Sequence, residues 1–553
     1  MSVIVDSTGK PFVTTKARAE NVGSPFVMPS IGANLFPYNA ASYTSQEMGN
    51  WNPYIRSPDS EINFYRDRMV SRSRDLVRND GWASGGITRI LDNTIGTRLR
   101  LSSNPDYRAL SIRFGIKGFD SVWADEFRRA AEALWRGFSE NIGRYNDVSR
   151  QLTIGQQFRL AMRHKLVDGE ALGVCYWLPE RVGAGCSHYA TSLMLIDPDR
   201  LSNPYQAVDT KYMRGGVEID DFGVPLAYHI RTAEQYDWYN AVESNTWERV
   251  EREDDDGWRR VIHDFDRDRT GQHRGIGVFT PVLAHAKMLA RYYGIELQAA
   301  TIAATFGTYI TSPYDPALVQ EALGVDETDA ELPVYQRLRS DWANERPAML
   351  NGARIPTLAP GESIDSVDSS HPHGNFEAFT HEMHRMTAAA LGLSAEQITQ
   401  DYSQTNYSSA RAATLESWKT LTRRAGEFKE NFASPFYANF LNEAMANGEL
   451  PLPSGAPDFF EDATSYARCD WLGVARGWVD PVKEKAGAVM GMDAGLSTLK
   501  RECAEQGLDW EEVLHQRQIE INEFKARGIP LPEWAGKVAA EELSRPPQEP
   551  KPQ

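Results

Sequence analysis

The residues best equipped for chemistry are crowded into "HPHGNFEAFTHEMH". There His371, His373, His381, Glu382 and His384 fall within fourteen positions and include four of the eleven histidines. A metal-assisted hydrolase of the zincin type uses H-E-x-x-H, which puts two imidazoles on one helix face four residues apart with the Glu as base. This chain has H-E-M-H, one residue short. Three-residue spacing still places two ligands on one face, so a metal site stays open beside the reading the spacing favours, a polar helix start followed by a solvated face.

Other catalytic signatures break off before completion. No G-x-x-x-x-G-K-[ST] phosphate loop occurs, so ATP-driven work would have to come from a partner. "RGIGVF" supplies Gly275 and Gly277 without the third glycine of a dinucleotide fingerprint. "YSSA" lacks the G-x-S-x-G context of a nucleophile elbow, and Ser408 and Ser409 read as helix caps. The acidic run "EREDDDG" (251–257) reads as a solvated β turn, with a calcium-like cluster as the alternative. No constellation demands catalysis, and neither a catalytic residue nor a cofactor is expected.

Positioning these residues requires several elements. The first sixty residues, rich in Ser, Asn, Pro and Gly, read as a flexible arm. From Glu61 the pattern turns helical, ending at a cap formed by Asn79, Asp80 and Gly81, and "WASGGITRILDNT" continues as a second helix. Residues 121–139 and 152–167 are amphipathic helices, the latter stopping at Asp168 and Gly169 before the strand "ALGVCYWL". Residues 190–264 are mostly strand, with a turn at Asp220–Gly223. Thr280–Ile310 reads as one helix of about 45 Å at 1.5 Å per residue. An acidic helical piece follows, then a hairpin at Asn351-Gly352 and a returning helix over 375–392.

The stretch "DYSQTNYSSARAATLESWKTL" (401–421) then runs from dense polarity into a strong helix. Beyond it Phe428, Phe432, Phe436 and Phe440 recur every four residues as a buried stripe, with Pro435 predicting a kink. Short helices fill 455–527, and "SRPPQEPKPQ" is a disordered tail. The fold class is α+β.

Bulk properties exclude some functions. A formal charge of −17 over 553 residues argues against a surface that grips phosphates, because such binding rests on Lys and Arg. Four scattered cysteines without C-x-x-C spacing suit a reducing compartment. The N-terminus lacks a secretory apolar core, and the longest apolar stretch carries Lys287, Arg291 and Glu296, so no membrane span is expected.

Several ordered motifs resemble the lambda family of portal proteins from tailed bacteriophages, over roughly Tyr65 to Glu520. They are "RSRDLVRNDGWASGGITRILDNTIGTRLRL", "HDFDRDRTGQHRGIG", the long run from "LAPGESIDSVDSSHPHG" to "NYSSARAATLESW", and "WLGVARGWVDPVKEKAGAVMGMDAGLSTLKRECAEQGLDWEEVLHQRQIE" with Trp478, Asp480, Pro481 and Lys483. The resemblance implies a closed ring, usually a dodecamer, at one capsid vertex, with double-stranded DNA passing through an axial channel. It implies as partners the major capsid protein, the terminase motor and a head-tail connector or completion protein, and as location the virion after assembly in the host cytoplasm.

Laid on this chain, the resemblance implies an arm (1–60), a mixed α/β wing (61–270), a stem helix (271–310), a small clip (311–372) and a returning stem helix (373–392). A tunnel loop (393–407), a kinked wing helix (408–450), a helical crown (451–530) and a tail (531–553) complete it. In the tunnel loop Glu396, Gln397, Gln400, Asp401, Gln404 and Asn406 would face DNA with hydrogen-bonding groups and negative charge but no cation, and the loop is expected to be mobile. Tyr407, Ser408, Ser409 and Arg411 would anchor it to the next helix, Arg411 either pairing with a carboxylate of a neighbouring subunit or remaining solvated. A different phage ring or tail adaptor, or a metal-dependent hydrolase on the His371–His384 cluster, are the alternatives.

Overall fold

A computed structural model describes residues 50–305, 309–311, 348–350, 353–355, 363–365, 376–403, 405–474 and 481–531, with residues 40 and 48. The chain divides into two compact units, Met1–Arg56 and Ser57–Gln553. In the first, the Trp51 N–H donates to the Met48 carbonyl at 3.0 Å; residues 1–39, 41–47 and 49 of the predicted arm lie outside the described residues. The second begins four residues before the expected boundary at residue 61, and Pro58, whose fixed φ suits a first turn, opens its first helix.

That helix is α1 (Pro58–Ile62), followed by α2 (Arg66–Asn79) and α3 (Gly81–Thr94). Asp80 joins the last two differently from the expected glycine cap. Its N–H donates to the Leu76 carbonyl while its carboxylate accepts from the Ala83 N–H, so one extended residue closes one helix and opens the next. Strand β1 (Arg100–Ser103), α4 (Tyr107–Phe114), α5 (Ser121–Ser139) and α6 (Ile154–Val167) follow. α6 starts in a capping box between Thr153 and Gln156.

Strands β2 (Glu170–Trp177), β3 (Thr191–Ile196), β4 (Met213–Arg214), β5 (Val217–Ile219), β6 (Pro225–Arg231), β7 (Trp247–Glu251) and β8 (Val261–Phe265) make two antiparallel sheets, ordered β3-β2-β8 and β4-β5-β6-β7. β2 is buried on both faces, which explains its unbroken apolar run. Ala171 and Cys175 join the helical core, while Leu172 and Val174 pack with Val217, Tyr228 and Val250 of the second sheet. Glu251 ends β7, and residues 253–257 form the expected exposed turn after it.

The long helix α7 spans Leu283–Thr305 after a short 3-10 turn, about 35 Å at 1.5 Å per residue. It is shorter than expected because Tyr309–Thr311 is strand β9, not helix. Strands β10 (Ala348–Leu350) and β11 (Ala353–Ile355) pair with Leu350 opposite Ala353, the hairpin that Asn351-Gly352 predicts. β12 (Ser363–Asp365) pairs with β9. The expected acidic helix between β9 and β10 lies outside the described residues. Helices α8 (Phe376–Leu391), α9 (Ala395–Thr399), α10 (Tyr407–Phe428) and α11 (Ser434–Ala446) follow.

Between α10 and α11 the backbone widens into a π turn over Lys429–Ala433. This is how the chain accommodates Pro435, which has no N–H to give the preceding turn. Phe428, Phe432, Phe436 and Phe440 are all fully buried, each stabilising by about 2 kcal/mol. Phe440 stacks on Phe138 at 4.7 Å and meets Trp135 at 5.2 Å, so α5 supplies the opposing aromatic wall. Finally come α12 (Ala463–Tyr466), β13 (Cys469–Leu472), α13 (Pro481–Asp493), α14 (Leu499–Glu505) and α15 (Trp510–Ala526). β13 pairs with β1 across more than three hundred residues of sequence, a strand the helical reading of this region did not include. The proline-rich tail lies outside the described residues.

Candidate functional site

The histidine cluster comes apart on α8. His384 is buried, 3.0 Å from the Tyr293 hydroxyl on α7 and 4.8 Å ring to ring from Trp82 on α3. Burial lowers its pKa, so it is a neutral packing residue. His381 and Glu382 are exposed on the same helix, while His371 and His373 lie outside the described residues. Among the described residues no group of three or more His, Cys, Asp or Glu could hold a metal ion. The pair Gly275 and Gly277 also has a structural explanation. A Cβ at either would stand 2.0 Å from the Gly169 carbonyl or 2.3 Å from that of Val167, so these glycines let the chain entering α7 lie against the end of α6.

The polar segment after α8 is more built than expected. Gly392 has φ +68°, its N–H donates to the Ala389 carbonyl and that of Leu393 to Ala388, the pattern of a Schellman cap. Arg424 of α10, itself buried, donates to the Leu391 carbonyl at 2.6 Å and so helps close the end of α8. A Cβ on Gly392 would lie 2.7 Å from the Thr420 Cγ2, which leaves room only for glycine at this joint.

Ser394 and Gln397 then form a capping box that starts α9. Much of the expected loop is therefore a short docked helix, because Leu393 and Ile398 are buried and α9 packs on α3. Glu396 is half-buried, and the Gln397 side chain is engaged in its cap. The polar turn proper is residues 400–406. Gln400 enters it with φ +60°, and Gln400, Asp401 and Asn406 are exposed; Gln404 lies outside the described residues. Hydrogen bonds from Ser403 to the Asp401 carboxylate lower its pKa and keep it ionised.

The anchor also differs from expectation. Tyr407 is the first residue of α10, and Asn406 is its cap, accepting from the Ser409 N–H at 2.9 Å. Ser408 and Ser409 support that cap by donating to the same Asn406 oxygen at 2.9 and 2.8 Å. Arg411 lies 3.7 Å from Glu484 of α13 in the same chain, so it has an intramolecular partner. The other cations of α10 are engaged as well: Lys419 with Glu416, Arg423 with Glu427, and Arg424 with the α8 carbonyl. The turn at residues 400–406 thus offers hydrogen bonding and negative charge and contributes no cation, and the cations of α10 each have a partner in the chain.

Elsewhere in the core lies a buried charge network. Glu170, fully buried at the start of β2, accepts from Arg66 at 2.9 Å, Arg274 at 3.0 Å and the Gly275 N–H at 3.0 Å, with His263 Nε2 at 3.2 Å. Burial alone would raise its pKa, but Arg274 and Arg66 outweigh burial and hold it well below the usual range. Arg74 adds bonds of 2.7 Å each to Asp168, Asp197 and Asp199, and Lys165 pairs with Asp264 at 2.9 Å. The network ties α2, α6, β2 and β8 to the segment that enters α7. Its signal in the sequence is charge inside apolar runs, as in "HKLVDGEALGV" and "VIHDF".

At the far end of the chain, α15 has no buried residue and is held by Glu511 and Glu512. These meet Arg128 and Arg129, and Arg100 and Arg136, respectively. The contact borders a crevice of about 1060 Å³ floored by Trp135 and Phe158. Glu132 beside it is pushed up to about 7 by burial and by its neighbours Asp509 and Glu511, against the pull of Arg128.

The chain is thus α+β, with a long helix pair, a small paired-strand excursion between them and a polar turn without Lys or Arg. The class is that of phage portal proteins: a family model described as phage portal protein, lambda family, matches residues 44–424, more than half of the chain. The chain belongs to that lambda family of portal proteins. Portal protein B of Escherichia phage lambda is 32% identical over 500 residues, covering 88% of this chain and 90% of that protein. The portal protein of Escherichia phage N15 is 31% identical over 493 residues, with the same coverages of 88% and 90%. Among solved structures, a chain in the virion of a native gene transfer agent particle is 14% identical with a TM-score of 0.41, over 79% of this chain and 93% of that chain.

Proposed function

We propose that this chain is one subunit of a closed ring at a single capsid vertex, whose axial channel conducts double-stranded DNA during genome packaging and ejection. The ring is a dodecamer seated in the virion among major capsid proteins after assembly in the host cytoplasm. Residues 61–270 and 408–450 form its wing, α7 and α8 its stem, 311–372 its clip, and 451–530 its crown. The clip docks the terminase motor during packaging and a head-tail connector afterwards. The protein acts as a conduit, without catalysis or cofactor.

The observation that carries this reading is the turn at residues 400–406, with Gln400, Asp401 and Asn406 exposed and no Lys or Arg among its residues. A polyanion sliding in both directions would stall on free Lys and Arg but passes a polar, negative wall. Ring formation is tested by native mass measurement and end-on electron micrographs of the full-length protein. Closed rings with a central hole are expected, and monomers alone at micromolar concentration would overturn the reading. Removing residues 401–405 tests the channel role. Rings should still form while packaging or retention of DNA fails, and stable full-length packaging by the shortened protein would make the segment a mere connector.

A further inference from the structure

The connection between β6 and β7 is a second site of unusual chemistry. Tyr236, Trp238, Tyr239 and Val242 are between 80% and 97% exposed, a density of large apolar groups well beyond scattered surface residues. The tip that presents them is tied down. The Thr232 N–H donates to the Thr246 carbonyl at 3.0 Å and its hydroxyl to Glu243 at 2.7 Å, closing the base. Arg231 lies over the Trp247 ring at 4.8 Å and donates to the Ser244 carbonyl. At the apex the Asp237 carboxylate accepts from the Tyr239 N–H at 3.0 Å and the Asn240 amide at 2.9 Å. Tyr236 is held at φ +61°, an unfavourable conformation for an aromatic residue.

Acidic residues dominate this tip, although Arg200 at its base donates to the Thr232 carbonyl at 3.0 Å and lies 4.0 Å from Glu234. Between Arg231 and Arg249 the chain carries Glu234, Asp237, Glu243 and Glu248 and no Lys or Arg. Exposed aromatic faces attract cations, and Trp and Tyr are the residues on which binding energy concentrates. Carboxylates around them add ion pairs to the same ligand and repel nucleic acid. We infer that the 232–248 tip is a docking surface for a basic segment of a partner protein, whose Lys or Arg side chains lie against Trp238 and Tyr239 within a carboxylate rim.

The test uses the full-length protein and a fluorescent oligo-lysine peptide, read by anisotropy. Trp238→Ala with Tyr239→Ala leaves the charge unchanged and is expected to weaken binding by at least about tenfold. Asp255→Asn with Asp256→Asn removes charge from the separate acidic turn and should leave binding within about twofold of wild type. Equal binding by wild type and the aromatic variant would overturn the inference, since attraction would then be general to an acidic protein. Native mass measurement of the aromatic variant should give the wild-type oligomeric state. Loss of the oligomer would instead identify the tip as a contact between copies and overturn the basic-partner assignment.

Discussion

Replacing Glu170 with Gln tests whether the buried network fixes the root of α7. The substitution keeps the size of the side chain but removes its charge, and the amide nitrogen must face groups that themselves donate: Arg66, Arg274 or the Gly275 N–H. Arg66 would be left with carboxylates no closer than 3.8 Å, from Asp67 and Asp199. Arg274 would keep its bonds to the Leu201 and Pro198 carbonyls at 2.7 and 3.1 Å. Breaking a buried ion pair from one side costs about 3–5 kcal/mol, and the bonds retained by Arg274 favour the lower end.

At 1.36 kcal/mol per decade this corresponds to amide exchange about 160-fold to 5000-fold faster wherever the network governs opening. Hydrogen-deuterium exchange over Glu170–Trp177 and Val261–Phe265 reads it directly. The pH dependence has a defined sign. Because the folded pKa lies below the unfolded one, near 4.3, the stabilisation is fully present above that value and is lost as pH falls through the folded pKa. The difference between wild type and variant should therefore be constant near neutrality and shrink in acid. Exchange within about tenfold of wild type in both strands would refute the reasoning, because a buried carboxylate with two guanidinium partners would then be contributing little.

Three further outcomes follow from the joint at Gly392 and from α15. Gly392→Ala should destabilise the protein by about 2–4 kcal/mol through left-handed backbone geometry and overpacking. Adding Thr420→Ser removes the Cγ2 that a Cβ would meet at 2.7 Å and should restore only the packing part, measured as a denaturation midpoint. Helix α15, held by ion pairs, should exchange faster as salt rises from about 0.1 M to about 1 M, since the screening length falls from about 10 Å to about 3 Å. Glu132, pushed up to about 7 by burial and in part by Asp509 and Glu511, binds its proton more tightly when α15 is docked, so docking should weaken as pH rises through about 7. Glu132→Gln should remove that pH dependence, and exchange over 510–526 unaffected by either salt or pH would refute the ion-pair latch.

Features that need only local physics were legible in the sequence. The amphipathic helices expected at 121–139 and 152–167, the strand "ALGVCYWL", the phenylalanine stripe and the Asn351-Gly352 hairpin follow from side-chain period and turn chemistry, which a short window contains. Ordered motifs carried the family as well. What the tertiary structure decided were partnerships between distant segments. α7 stops at Thr305 because β9 pairs with β12, and β1 finds β13. Leu393 and Ile398 turn much of a polar stretch into a docked helix only because α3 lies opposite, and Arg411 meets Glu484 from another part of the chain. Glu170, Arg66 and Arg274 are far apart in sequence and ordinary in type. Their energies depend on the low dielectric and the exact neighbours created by folding, which no local window specifies.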